Sequence, residues 1–109
     1  MTIGVCSLEI HLPGSHSLKD RRRVVRRLKD LLRSRHNVAL TELEQHADLW
    51  QRAGLMIVSL ATNRDVLARL FEAVQREVEF HVPGEVVVTG IDFIEALDGG
   101  PLDWSAEDP

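Results

Sequence analysis

Ser17 and Thr62 are each followed three residues later by an aspartate, and each opens a stretch whose apolar side chains recur at helical spacing. That is the spacing of a capping box, in which the leading hydroxyl accepts from the backbone three residues on. The first stretch gathers Leu18, Val24, Val25, Leu28, Leu31 and Leu32 on one side; the second gathers Val66, Leu67, Leu70, Phe71, Val74 and Val78. The segments around these helices read as strands. Thr2 to Leu12 is apolar and β-branched-rich and stops at Pro13-Gly14. Asn37 to His46 alternates, with Val38 and Leu40 on one face, and Ala47 to Arg52 reads as a connecting loop. Gly54 to Leu60 is apolar on both parities, as a central strand would be. Pro83-Gly84 breaks the chain before a last strand over Glu85 to Leu97, in which Gly90 marks a bulge or a close approach.

The order βαββαβ is the α+β, ferredoxin-like arrangement. Right-handed crossovers put both helices on one face of a four-stranded antiparallel sheet and leave the other face open. Residues 1–97 form this domain, and residues 98–109, with Gly, Pro and acids and little to bury, are expected to be a disordered tail. Because the third strand is apolar on both parities, the open face is expected to meet a second copy of the chain, a loop or the tail rather than water alone.

Charge is distributed unevenly. Nine of the 13 Lys and Arg lie between Lys19 and Arg35, among only two acids, in a chain of net charge −4. Stepping about 100° per residue from Leu18, the apolar set of the first helix falls between about 220° and 360°. Lys29, Arg22, Arg33, Arg26, Lys19, Arg23 and Arg27 spread over the remaining face, from about 20° to 180°. Arg21 falls at about 300°, inside the apolar arc, where it must snorkel past the helix end or pair with a carboxylate at the core edge.

Lys19/Arg23, Arg22/Arg26, Arg23/Arg27 and Lys29/Arg33 are like-charge neighbours, each costing about 0.2–0.5 kcal/mol. Cations in the first turn also oppose the helix dipole. A purely solubilising surface would mix signs, whereas a single-sign face suits a partner that brings negative charge, phosphate above all. The competing account is a solvated face, or one that pairs with acids elsewhere in the chain, the arginine content then reflecting only coding bias. A third arrangement lays Asp98, Asp103, Glu107 and Asp108 of the tail on the stripe, with Trp104 packed against arginine stems. Base stacking on the sheet is not expected, because the chain has no tyrosine and only three phenylalanines, none paired and exposed on the first or third strand.

Leu12-Pro13, Ser17-Leu18-Lys19 with Arg21-Arg22, Asn37-Val38 and Asp48-Leu49-Trp50-Gln51-Arg52-Ala53 together resemble the YlxP-like family of small bacterial proteins of unknown function. The resemblance spans about residues 1–97. It implies a ferredoxin-like fold and no established enzyme activity. The family's genes often neighbour those for translation factors and ribosome maturation, which implies a role near RNA or ribosomes. The chain departs from the family in its arginine-rich helix and its acidic tail.

No catalytic constellation is legible. The histidines at 11, 16, 36, 46 and 81 have no metal-ligand spacing, and Cys6 has no CxxC partner. They read as strand ends, loops and helix caps, and Cys6 as a small core residue. Arg21, Asp48, Trp50 and Arg52 are candidates for contact with a partner or ligand, Asp48 orienting Arg52 beside the indole. Against that, Trp50 anchors the loop and Asp48 caps its turn. The expectation is a non-enzymatic accessory protein of the cytoplasm that contacts RNA or the ribosome through the basic helix. The alternative is a homodimer or other protein-interaction module using the open sheet face. No cofactor, metal, small-molecule substrate, signal peptide or membrane segment is read from the sequence.

Overall fold

A computed structural model describes residues 1–43 and 51–95. The elements follow in the order β1 (Thr2–His11), α1 (Leu18–Arg35), β2 (Ala39–Leu43), β3 (Arg52–Ala61), α2 (Arg64–His81) and β4 (Val86–Glu95). They form one four-stranded sheet of order β2-β3-β1-β4, every neighbouring pair antiparallel. This is the ferredoxin-like α+β fold. Residues 98–109, for which a disordered tail is expected, and residues 96–97 at the end of the expected last strand lie outside the described residues.

Burial alternates strictly along β1, where Thr2, Gly4, Cys6, Leu8 and Ile10 are buried and the residues between them are half-exposed. The buried parity, joined by Ala53, Leu55 and Ile57 of β3, meets Val25, Leu28 and Leu32 of α1 and Leu67, Phe71, Val74 and Val78 of α2. Burying a side chain of this size contributes about 1.5–3 kcal/mol. Gly4 lets the helix layer close down, since a Cβ there would lie 2.8 Å from the Phe71 ring.

Several boundaries differ from the sequence expectation. Ser17 does cap α1, its Oγ accepting from the Asp20 amide at 3.1 Å. Asn63 rather than Thr62 caps α2, accepting from the Val66 amide at 3.1 Å. Val66, expected in the stripe, is 48% exposed, because steps of about 100° put it roughly 110° from the centre of the arc of Leu67, Phe71, Val74 and Val78. Strand β2 starts at Ala39 and not at Asn37, residues 44–46 of the expected strand lie outside the described residues, and Arg52 opens β3 instead of closing a loop.

In β4 the register against β1 slips between Ser7 and Leu8: Ser7 faces Gly90 and Leu8 faces Val88, so Thr89 is the extra residue of a bulge. The bulge changes which parity faces the helices, turning Phe93 toward Phe71 with ring centroids 6.3 Å apart and leaving Ile94 in a row with Ile3 and Leu60 on the other face.

Candidate nucleic-acid interface

Helix α1 presents two sides. Arg21, Val25, Leu28 and Leu32 are buried. On the opposite side Lys19, Arg22, Arg23, Arg26, Arg27 and Arg33 are exposed, with Lys29 half-buried at the edge. The helix is able to begin in this cationic sequence because Asp20 is used three ways. Its amide bonds Ser17, its Oδ2 accepts from the His16 amide at 3.3 Å, and its Oδ1 accepts from Arg23 Nη2 at 2.7 Å. A carboxylate in the first turn is also stabilised by the positive end of the helix dipole.

The ion pairs sort the cations into two groups. Arg23 is held by Asp20; Arg33 lies 3.9 Å from Asp30 and donates to the Leu40 carbonyl at 3.3 Å; Arg35 reaches Glu77 at 3.6 Å. Lys19, Arg22, Arg26, Arg27 and Lys29 have no ion-pair partner among the described residues. These five stand in a strip along the helix with no acid of the described domain drawn onto them.

Arg21 is different. It is 3% exposed, donates through Nε to the Arg52 carbonyl at 2.7 Å, and is ion-paired with Glu42 through Nη2. Of the two courses open to a cation inside the apolar arc it takes the core-edge carboxylate, and at that burial it is not available to a partner. Arg52 itself is exposed and its Nη1 meets Glu9 Oε1 at 3.0 Å. It lines a hollow of about 320 Å³ at the sheet end with Glu9, His11, Glu85 and Val87. Asp48 and Trp50, expected to act with it, lie outside the described residues.

Beside the strip, α1 and the C-terminal end of α2 leave a groove made of two adjoining hollows of about 420 Å³ each. Val24, Leu28 and Leu31 form its apolar floor, Arg23 and Arg27 its cationic rim, and His81 lines both halves. Next to it stands Phe80, 84% exposed, whose ring meets His81 edge-on at 5.1 Å and 81°. Sequence reasoning passed over this aromatic. The signal was present, because two steps of about 100° from buried Val78 put Phe80 on the polar side of α2.

Cys6 is buried, and desolvation raises its thiol pKa, which fits a core residue and not a nucleophile. His11, His16 and His81 are exposed. His36 closes α1, its amide donating to the Leu32 carbonyl at 2.9 Å, and its Nε2 lies 3.6 Å from Glu77. No three metal-ligating side chains come together among the described residues. No helix of the described chain is long and apolar enough to cross a membrane.

Fold and surface together define a ferredoxin-like α+β protein with a cationic helix along one edge of its helical layer. The chain belongs to the family described as Protein of unknown function (DUF503), whose model matches residues 3–91. No match was found among curated proteins. Among solved structures, the chain is similar to the de novo designed protein Foldit4 at 13% identity, with 88% of this chain and 98% of that one covered and a TM-score of 0.46.

Proposed function

We propose that this protein is a non-enzymatic accessory factor that contacts RNA or the ribosome through the exposed face of α1. The observation that carries the reading is the strip of Lys19, Arg22, Arg26, Arg27 and Lys29, which has no ion-pair partner among the described residues of a chain with 17 acids. Were the strip merely balanced internally, carboxylates would be expected on it. Guanidinium forks at helical spacing match phosphate oxygens bidentately. The resemblance to YlxP-like proteins, whose genes often neighbour ribosome-maturation genes, supports the same reading and a cytoplasmic location.

The test is salt-dependent co-sedimentation with ribosomal subunits or structured RNA. Contact with about four to six phosphates gives a log–log slope of roughly −3 to −5 against salt. Arg22→Glu with Arg26→Glu should abolish binding at about 50 mM salt, where the unaltered chain is retained. Binding indifferent to that double reversal would sink the proposal.

A second reading rests on the open sheet face. Leu60 and Ile94 are 55% and 52% exposed there and flank Ile3 in one row. On this reading the face meets a second copy of the chain, and the association is concentration-dependent and salt-tolerant. Sedimentation equilibrium giving one chain mass at all concentrations would exclude it.

A further inference from the structure

We propose that the groove between α1 and the end of α2 takes an unpaired RNA nucleotide, its base stacked on Phe80 beside the groove and a flanking phosphate on Arg27. The inference rests on the RNA reading of the same helix and adds what kind of RNA the face prefers. Phe80 and His81 set two rings nearly at right angles, 81° apart. One ring can therefore underlie a flat base while the other bounds its edge. An aromatic 84% exposed on a helix contributes nothing to the core. Stacking on a base turns that exposed area into binding, and it works for any base because each has a π face.

The charges around the corner favour a strand of phosphates over a single carboxylate. Arg27 lines both hollows and has no ion-pair partner among the described residues. Asp20, the acid in the lining, is occupied by Arg23 and by the His16 amide. From Arg27 the unpaired cations continue along α1 through Arg26, Arg22 and Lys19. A nucleotide in the groove thus lies at one side of a cationic track that the rest of the strand follows, whereas an acidic peptide anchored here would leave most of that track unused. The floor of Val24, Leu28 and Leu31 suits a base or sugar face and carries no hydrogen-bonding code, so the preference is for an unpaired base and not for a sequence.

Anisotropy titrations at about 50 mM salt should compare a hairpin RNA carrying a single-stranded loop with a fully paired duplex of equal length and charge. The hairpin should bind at least about fivefold more tightly. Phe80→Ala should remove that difference and leave duplex affinity unchanged, with an unaltered unfolding midpoint showing that the fold is intact. Phe80→Trp should keep the difference. Equal binding of the two RNAs, or a hairpin preference that survives Phe80→Ala, overturns the nucleotide site. If duplex binding then still depends on salt and on Arg22 and Arg26, the RNA reading of α1 stands and the groove passes to a protein partner. Binding of neither RNA overturns both.

Discussion

Arg21 of α1 and Glu42 of β2 form an ion pair behind the basic face, and the same guanidinium donates through Nε to the Arg52 carbonyl at 2.7 Å. One side chain thereby ties the first turn of the helix to the edge strand and to the first residue of its neighbour. The arginine cluster thus serves two ends. One cation is committed inward and fixes where the helix sits on the sheet, and the strip on the far side is held out as a consequence.

Removing Arg21 leaves the Arg52 carbonyl without its charged donor and Glu42 without its cation. Because the Glu42 side chain is still 27% exposed, water relieves part of that loss. Arg21→Met, which keeps the stem, should therefore destabilise the domain by about 1–3 kcal/mol, read from urea unfolding. Arg22→Met, one residue on and exposed, should not destabilise the domain and, by relieving two like-charge neighbours, should gain up to about 1 kcal/mol. Equal effects at the two positions would show that the inward pair is not holding the helix.

Gly84 supplies a second check on packing. The loop between α2 and β4 passes so close to β1 that the His11 amide donates to the Glu85 carbonyl at 2.8 Å, and a Cβ on Gly84 would fall 2.0 Å from the His11 carbonyl oxygen. Backbone on both sides cannot yield cheaply. Gly84→Ala should cost on the order of 2–4 kcal/mol, while Gly14→Ala, which has nothing within 4 Å of its Cβ, should be close to neutral in the same denaturation assay.

The order of elements was legible in the sequence because it depends on local signals: Ser17 capping onto Asp20, the helical stripes, and the breaks at Pro13-Gly14 and Pro83-Gly84. What escaped depends on contacts between elements. The wheel placed Arg21 in the buried arc, yet nothing local names Glu42 or the Arg52 carbonyl as its partners. Thr62 and Asn63 are adjacent capping residues, and spacing alone does not choose between them. The strip on α1 could be drawn from spacing alone, but which of its cations were already paired required the positions of Asp20, Asp30 and Glu77. Phe80 escaped for another reason: aromatics bear on base stacking in the sequence reading only where they fall on the first and third strands, and Phe80 lies on a helix.

Cys6 gives a pH prediction. Burial raises its thiol pKa above the ordinary 9.0, so below pH 9.0 the group is protonated folded or unfolded and adds no pH dependence. Above that value the unfolded chain releases the proton while the folded chain keeps it. Stability therefore falls as pH rises, at up to about 1.4 kcal/mol per unit, until the folded thiol itself titrates. Cys6→Ala should flatten the unfolding free energy between pH 9 and 10.5 relative to the unaltered chain, and the native thiol should resist alkylation at pH 8. A parallel pH profile in the two proteins would show that the thiol is not shielded.

The cost of the basic face can be measured directly at Arg22. Lys19 lies three residues before it and Arg26 four after, with no carboxylate placed against either of the latter two among the described residues. Arg22→Glu replaces two repulsions with two attractions, one of them the favourable Glu-before-Arg order at i,i+4, each worth about 0.2–0.5 kcal/mol. The substituted domain should gain about 1–2 kcal/mol at low salt, and the gain should shrink as salt screens it. The same change should weaken RNA binding, since it removes one phosphate contact and puts a carboxylate in its place. A variant that folds more stably and binds less well would show that the face is kept at the expense of helix stability. A variant that loses stability would show that Arg22 has a structural partner, and the strip would then be no guide to function.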